Sequence, residues 1–198
     1  MEAVLKPTQQ KMKRRDAKLQ SIYSRCLITR NIVLPITAIG KNIRETIEEN
    51  IKANFEGKCV VEGYIKQNSS KIVTYSSGLI TKGNLISFEV VFECDICFPV
   101  EGMLISCVAK NITKAGIRAE SASDVPSPIV VFVTKDHHYN LSYFSEVQEG
   151  DKINVRVIGQ RFELNDKYIS IIGELIKEKE PFVLKPKQAS KPRIVIED

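Results

Sequence analysis

Three groups of residues in this 198-residue chain have types and spacing that could do chemistry. Cys94-Asp-Ile-Cys97 has the spacing of half a zinc site. Zinc needs four ligands, and no second Cys-x-x-Cys or paired-histidine motif supplies the rest. Residues three apart on a strand also point to opposite faces, so one ion cannot reach both thiols. Cys94 is expected buried and Cys97 half-exposed. Glu48 and Glu49 are adjacent acids, but on a helix they diverge and read as solvated surface, not as a general acid and base. The two histidines, His137 and His138, are neighbours with no Ser/His/Asp arrangement around them. No glycine-rich phosphate loop of standard form is present. No catalytic residue, metal ligand or cofactor is therefore assigned.

What remains is binding. Lys110, Lys114, Arg118, Lys135, His137, Arg156 and Arg161, with Lys167 and His138 beside them, supply positive or titratable groups for phosphates. Phe132, Tyr139 and Tyr168 supply rings on which bases stack. Phe132 sits in a hydrophobic run, so core packing competes with stacking there. Charge also argues for weakness. Residues 100–176 hold eight Lys and Arg against ten acids, whereas a domain that binds by counterion release is normally basic.

The elements that must position these residues follow from the patterning. Hydrophobic residues make up 43% of the chain and charged residues 27%, with no Trp, which suits a soluble protein of one or two domains. No apolar run is long enough to span a bilayer and no secretory signal is seen, so no membrane partner is expected. Five cysteines, an odd number, fit a reducing intracellular compartment. The net charge of +5 sits mainly in the ends: residues 1–20 carry six basic against two acidic residues, including Lys11-Met-Lys-Arg-Arg15. Such a cluster suits phosphate contact or an import signal.

Residues 1–20 read as a basic flexible extension. Residues 21–34 read as a strand rich in β-branched side chains, closed by Pro35. Ile39, Ile43, Ile47, Ile51 and Phe55 recur every four residues and draw one apolar stripe down a helix, stopped by Gly57. Residues 59–65, 71–76 and 85–98 read as three strands, the last with strict apolar alternation from Ile86 to Phe98. Residues 21–99 are thus a small α+β domain, and Pro99-Val-Glu-Gly102 is the expected junction. Residues 103–110, 115–120, 129–134, 152–159 and 168–176 read as five short strands with no long helix between them. That pattern over 100–177 is an OB-fold β-barrel. Residues 178–198 read as a flexible tail, in which 193–197 could add a strand on meeting a partner.

Phe98-Pro-Val-Glu-Gly102, then Val108-Ala-Lys-Asn-Ile-Thr-Lys-Ala-Gly-Ile-Arg-Ala-Glu120, resembles the domain junction and first hairpin of a known family. It is the stalk subunit of multisubunit DNA-directed RNA polymerases, the family of the archaeal E-prime and eukaryotic RNA polymerase II seventh subunits. Gly150-Asp-Lys-Ile-Asn-Val-Arg-Val-Ile-Gly-Gln-Arg161 and Ile169-Ser-Ile-Ile-Gly173 resemble its closing strands, and Leu34-Pro35 and Phe55-Glu-Gly57 fit upstream. The resemblance covers about residues 21–177. It implies a non-catalytic subunit whose first domain is a tip that docks near the clamp of the polymerase core. It implies an S-one-type barrel facing nascent RNA, and a smaller stalk subunit as a further partner. Ile80, Thr81, Lys82, Gly83 and Asn84 fall on the family's core-contacting tip loop, and Phe132 on the RNA-facing strand. No small-molecule substrate is implied. The setting would be a nucleus in a eukaryote, or a cytoplasm or virion in an archaeon or large DNA virus.

The chain departs from the family pattern at its ends, where the basic extension of about twenty residues and part of the C-terminal tail are additional, and at two points within. Ala115 stands where many such barrels carry an aromatic, and the tip loop keeps Gly83 without a fuller Gly-Asp-Gly pattern. The alternative reading is a free-standing OB-fold RNA-binding protein such as a translation factor. A nuclease on a borrowed OB fold is disfavoured by the lack of clustered acids.

Overall fold

The computed structural model describes residues 21–138 and 142–177. Residues 11–15, 139 and 193–197, to which the sequence reading gave roles, lie outside the described residues. The described residues begin with β1 (Tyr23–Pro35), followed by α1 (Ile43–Asn54). Short strands follow: β2 (Cys59–Val60), β3 (Gly63–Ile65), β4 (Lys71–Tyr75) and β5 (Leu79–Ile80), before the long β6 (Leu85–Cys97). β6 is the spine of this sheet. It pairs antiparallel with β1 along its whole length, from Tyr23 opposite Cys97 to Pro35 opposite Leu85. Its other edge carries β3, β4 and β5 in turn.

Period two decides what is buried. Phe88, Val90, Phe92, Cys94 and Ile96 of β6 and Ile28, Ile32 and Leu34 of β1 share one core with Ile47 and Ile51 of α1. The helix begins at Ile43, so Ile39 lies outside it and Phe55 is its C-cap, yet both still pack against that core. One expected strand is in fact a hairpin. At Gly63 the chain has φ +130, and a Cβ there would lie 2.5 Å from the Cys97 carbonyl oxygen. Only glycine lets β3 approach β6 this closely, and residues 59–65 turn back on themselves.

The second half is a closed barrel of β7 (Leu104–Thr113), β8 (Gly116–Ser121), β9 (Ile129–Thr134), β10 (Lys152–Arg161) and β11 (Ile169–Ile176). Its order is β7-β8-β9-β11-β10, with β10 returning to β7; all pairs are antiparallel except β9 with β11. That is the five-stranded OB topology, so the fold is an α+β sheet unit followed by an OB barrel. A five-residue helix, α2 (Ser142–Glu146), lies between β9 and β10.

The sheet and barrel share a core. Cys59, Tyr64 and Cys97 pack with Ile105, Cys107, Ile129 and Val155. Cys97 does face away from Cys94 as alternation requires, but it is fully buried rather than half-exposed, because the barrel covers that end of the sheet. Polar contacts add to the joint. Lys66 Nζ lies 3.5 Å from Asp124 and 4.5 Å from the centre of the Tyr23 ring. The Cys59 N–H donates to the Asp166 carbonyl at 2.8 Å.

Candidate nucleic-acid interface and docking loop

The register of three barrel strands lines up one exposed row. Arg118 on β8 is opposite Phe132 on β9, and Phe132 is opposite Ile172 on β11. Val131 and Val133 point into the barrel and are buried, so alternation sends Phe132 out, where it is 41% exposed. Its place is therefore on the outer wall and not in the core. Two grooves flank this row. One, of about 500 Å3, runs toward the end of β9 between Phe132, Thr134, Asn111, Thr113, Ala115 and Arg118. The other, of about 310 Å3, lies toward the start of β9 and is lined by Lys110, Arg118, Lys167 and Tyr168 among others. Arg118 borders both.

The structure thus gathers Lys110, Arg118, Phe132, Lys167 and Tyr168 on one wall. Lys114 is exposed in the β7–β8 turn, and Lys135 and His137 are exposed just beyond β9. The Lys135 N–H donates to the Ala115 carbonyl at 3.0 Å, which brings that turn to the rim of the larger groove. Ala115 is exposed there, so the position has no ring to stack on. Arg156 and Arg161 lie on β10, outside both grooves.

Nearby acids blunt the positive charge. Arg118 pairs with Glu120 at 3.0 Å, Arg156 with Glu174 at 3.2 Å and Arg161 with Glu163 at 3.1 Å. The Arg156 and Arg161 pairs are solvent-exposed and add little stability, the Arg118–Glu120 pair is half-buried, and each offsets the cation a phosphate would seek. No ion pair with another described residue is formed by Lys110, Lys114, Lys135 or Lys167.

His138 is a different case from His137. It is 2% exposed and stacks on Phe144 with ring centres 5.6 Å apart. Its Nε2 accepts from the Leu175 N–H at 2.8 Å, and its Nδ1 lies 2.7 Å from the Thr134 carbonyl. Both ring nitrogens are spent tying the end of β9 to β11, so His138 holds the barrel together and is withdrawn from any ligand. Ile172 is the wall residue that the sequence reading missed. The signal was available: Ile171 and Ile172 are consecutive, so on a strand one of them must face out.

The loop 81–84 lies at the other end of the molecule. β6 begins beside it and ends at the barrel, and 12 steps at about 3.3 Å each put roughly 40 Å between its ends. Ile80 is the last residue of β5, paired with Ile86, and is 80% exposed. Thr81, Lys82, Gly83 and Asn84 are exposed too. The turn is well anchored: the Thr81 N–H donates to the Leu85 carbonyl at 2.9 Å and the Ile36 N–H to the Asn84 carbonyl at 2.7 Å. Gly83 turns the chain with φ +72, and open space surrounds its missing side chain. Exposed Ile36, Leu79 and Leu85 add apolar surface beside it, a grouping the sequence reading did not anticipate.

Four thiols are held in the neutral form. Burial pushes Cys59, Cys94, Cys97 and Cys107 up to about 12, with help from Asp166 at Cys59, Cys26 at Cys94 and Asp124 at Cys97. They stay neutral at physiological pH. Among the described residues there is no cluster of three or more His, Cys, Asp or Glu that could hold a metal ion. No helix among them is long and apolar enough to cross a membrane.

No family model matches the chain. It is 27% identical over 173 residues to a protein of Acanthamoeba polyphaga mimivirus with the provisional name of a DNA-directed RNA polymerase subunit, covering 79% of this chain and 83% of that one. It is 25% identical over 177 residues to DNA-directed RNA polymerase II subunit 7 of Arabidopsis thaliana, covering 77% of this chain and 98% of the relative. The chain is similar over most of its length to proteins named as subunit 7 of RNA polymerase II. The DNA-directed RNA polymerase II subunit RPB7 of Glycine max matches at 21% identity over the same proportions. The match takes in the plant subunits nearly whole. The barrel and the preceding sheet agree with the fold that the sequence resemblance implied.

Proposed function

We propose that this chain is a non-catalytic stalk subunit of a multisubunit DNA-directed RNA polymerase, docked to the core near its clamp through the loop 81–84. The exposed apolar group of Ile36, Leu79, Ile80 and Leu85 around that loop is the observation that carries the reading. Four large exposed apolar side chains lie close to one hydrogen-bonded turn, and apolar exposure gathered in this way is of the kind that marks a protein contact. The loop is about 40 Å from the barrel joint, so docking leaves the barrel wall open. That wall, with Phe132 at its centre and Arg118 and Lys110 beside it, guides nascent RNA weakly. Paired arginines and an acidic balance make it a surface for transcript held nearby by the machine. A smaller stalk subunit is a further partner on this reading, and a nuclear or viral intracellular setting goes with the role. The test is binding of purified chain to polymerase core that lacks this subunit. Deletion of 81–84, or Gly83→Pro, should abolish or strongly weaken binding while the chain stays folded; undiminished binding would refute the docking assignment.

A further inference from the structure

We propose that Cys26 and Cys94 form a cross-strand dithiol that a small-molecule disulfide oxidises to an intramolecular disulfide. The two residues are directly opposite in the antiparallel β1–β6 ladder. Directly opposed residues in such a ladder have Cα atoms about 4.5–5.5 Å apart and side chains on the same face. A disulfide spans Cα separations of about 4.4–6.8 Å, so the register alone puts the pair in range.

The pairing is specific to these two thiols. Cys94 and Cys97 are three apart on one strand and belong to different cores. Cys59 and Cys97 both oppose Tyr64, one on β2 and one on β6, so a whole strand lies between them. Two strand spacings are roughly 9.6 Å, beyond disulfide reach. Cys107 opposes Ile153 and Ser121.

The two positions also differ in access as a redox pair requires. Cys26 is exposed, whereas Cys94 is fully buried. Cys26 therefore reacts first. Its thiolate attacks one sulfur of the oxidant, forms a mixed disulfide and releases one small thiol. Cys94 then loses its proton to solvent and attacks the Cys26 sulfur, closing the protein disulfide and releasing the second thiol. Two electrons pass from the protein pair to the oxidant, and two small thiols leave. Burial of Cys94 makes the closing step the slow one.

The probe is oxidised glutathione, applied to the full chain, followed by alkylation of remaining thiols. Digestion with trypsin and with a protease cutting before aspartate frees residues 26–30 and separates Cys94 from Cys97 at Asp95. The expected product is a reducible linked peptide joining 26–30 to 83–94, lighter by two hydrogen atoms than the sum of its parts, with loss of alkylation at Cys26. Cys26→Ser should abolish it, and Cys97→Ser should leave it intact. Cys26 ending only as a glutathione adduct after prolonged incubation, or linked to the fragment that carries Cys97, would overturn the proposal.

Discussion

Phe132 and His138 lie six residues apart and have opposite fates. Phe132 is thrown outward by the alternation of β9, and His138 is drawn inward by the Leu175 N–H. The first can serve RNA and the second cannot. Phe132→Ala should weaken cross-linking of the chain to RNA by about 1–3 kcal/mol, the loss typical of one stacked base, with assembly into polymerase unchanged. Glu120→Gln should act in the other direction, because it releases Arg118 for phosphate. Cross-linking yields across the two variants check both, and equal yields would remove RNA from this wall. The buried thiols give a second residue-scale outcome. Each folds neutral, with its pKa raised from 9 to about 12. Unfolding above pH 9 therefore releases protons, so stability is full below that pH and falls as the pH climbs toward 12. Denaturant melts between pH 8 and 11 should show the fall, and Cys107→Ala, which leaves one such thiol fewer, should make it shallower.

At the scale of elements, long periodic segments were readable and short ones were not. The four-residue recurrence from Ile43 to Phe55 gave α1, and the alternation of residues 85–98 gave β6, because many side chains report one periodicity. β2, β3 and β5 are two or three residues long, too short to show a period, and the Gly63 reversal that separates β2 from β3 depends on contact with β6. The apolar residues around the loop 81–84 were hidden for a related reason: Ile36 and Leu79 come to the same end of the sheet only because β1 and β5 both pair with β6. His138 was not separable from His137 because its partner is 37 residues away. The best-read element makes the sharpest test. Ile47 is fully buried under α1, so Ile47→Asp places a charge in the core and should cost more than about 4 kcal/mol. Circular dichroism melts should show an unfolded or grossly destabilised chain, and a cooperatively folded variant would contradict the helix packing.

On the scale of the whole molecule, sequence suggested two units joined at 99–102, and the structure gives them a shared core. Cys59, Tyr64 and Cys97 of the sheet are packed among barrel residues, with Lys66 and Asp124 bridging outside. A joint of this kind holds the loop 81–84 at one end and the barrel wall at the other in fixed relation, an arrangement that suits the proposed stalk role. Charge agrees with the proposed division of labour, since arginines that pair with acids leave less positive charge for a phosphate. The most direct test is affinity purification of the tagged full chain from the cells or virus that express it, with identification of what accompanies it. The large subunits of a DNA-directed RNA polymerase should accompany it in stoichiometric amounts. Recovery of the chain with RNA or ribosomal proteins and without those subunits would contradict it.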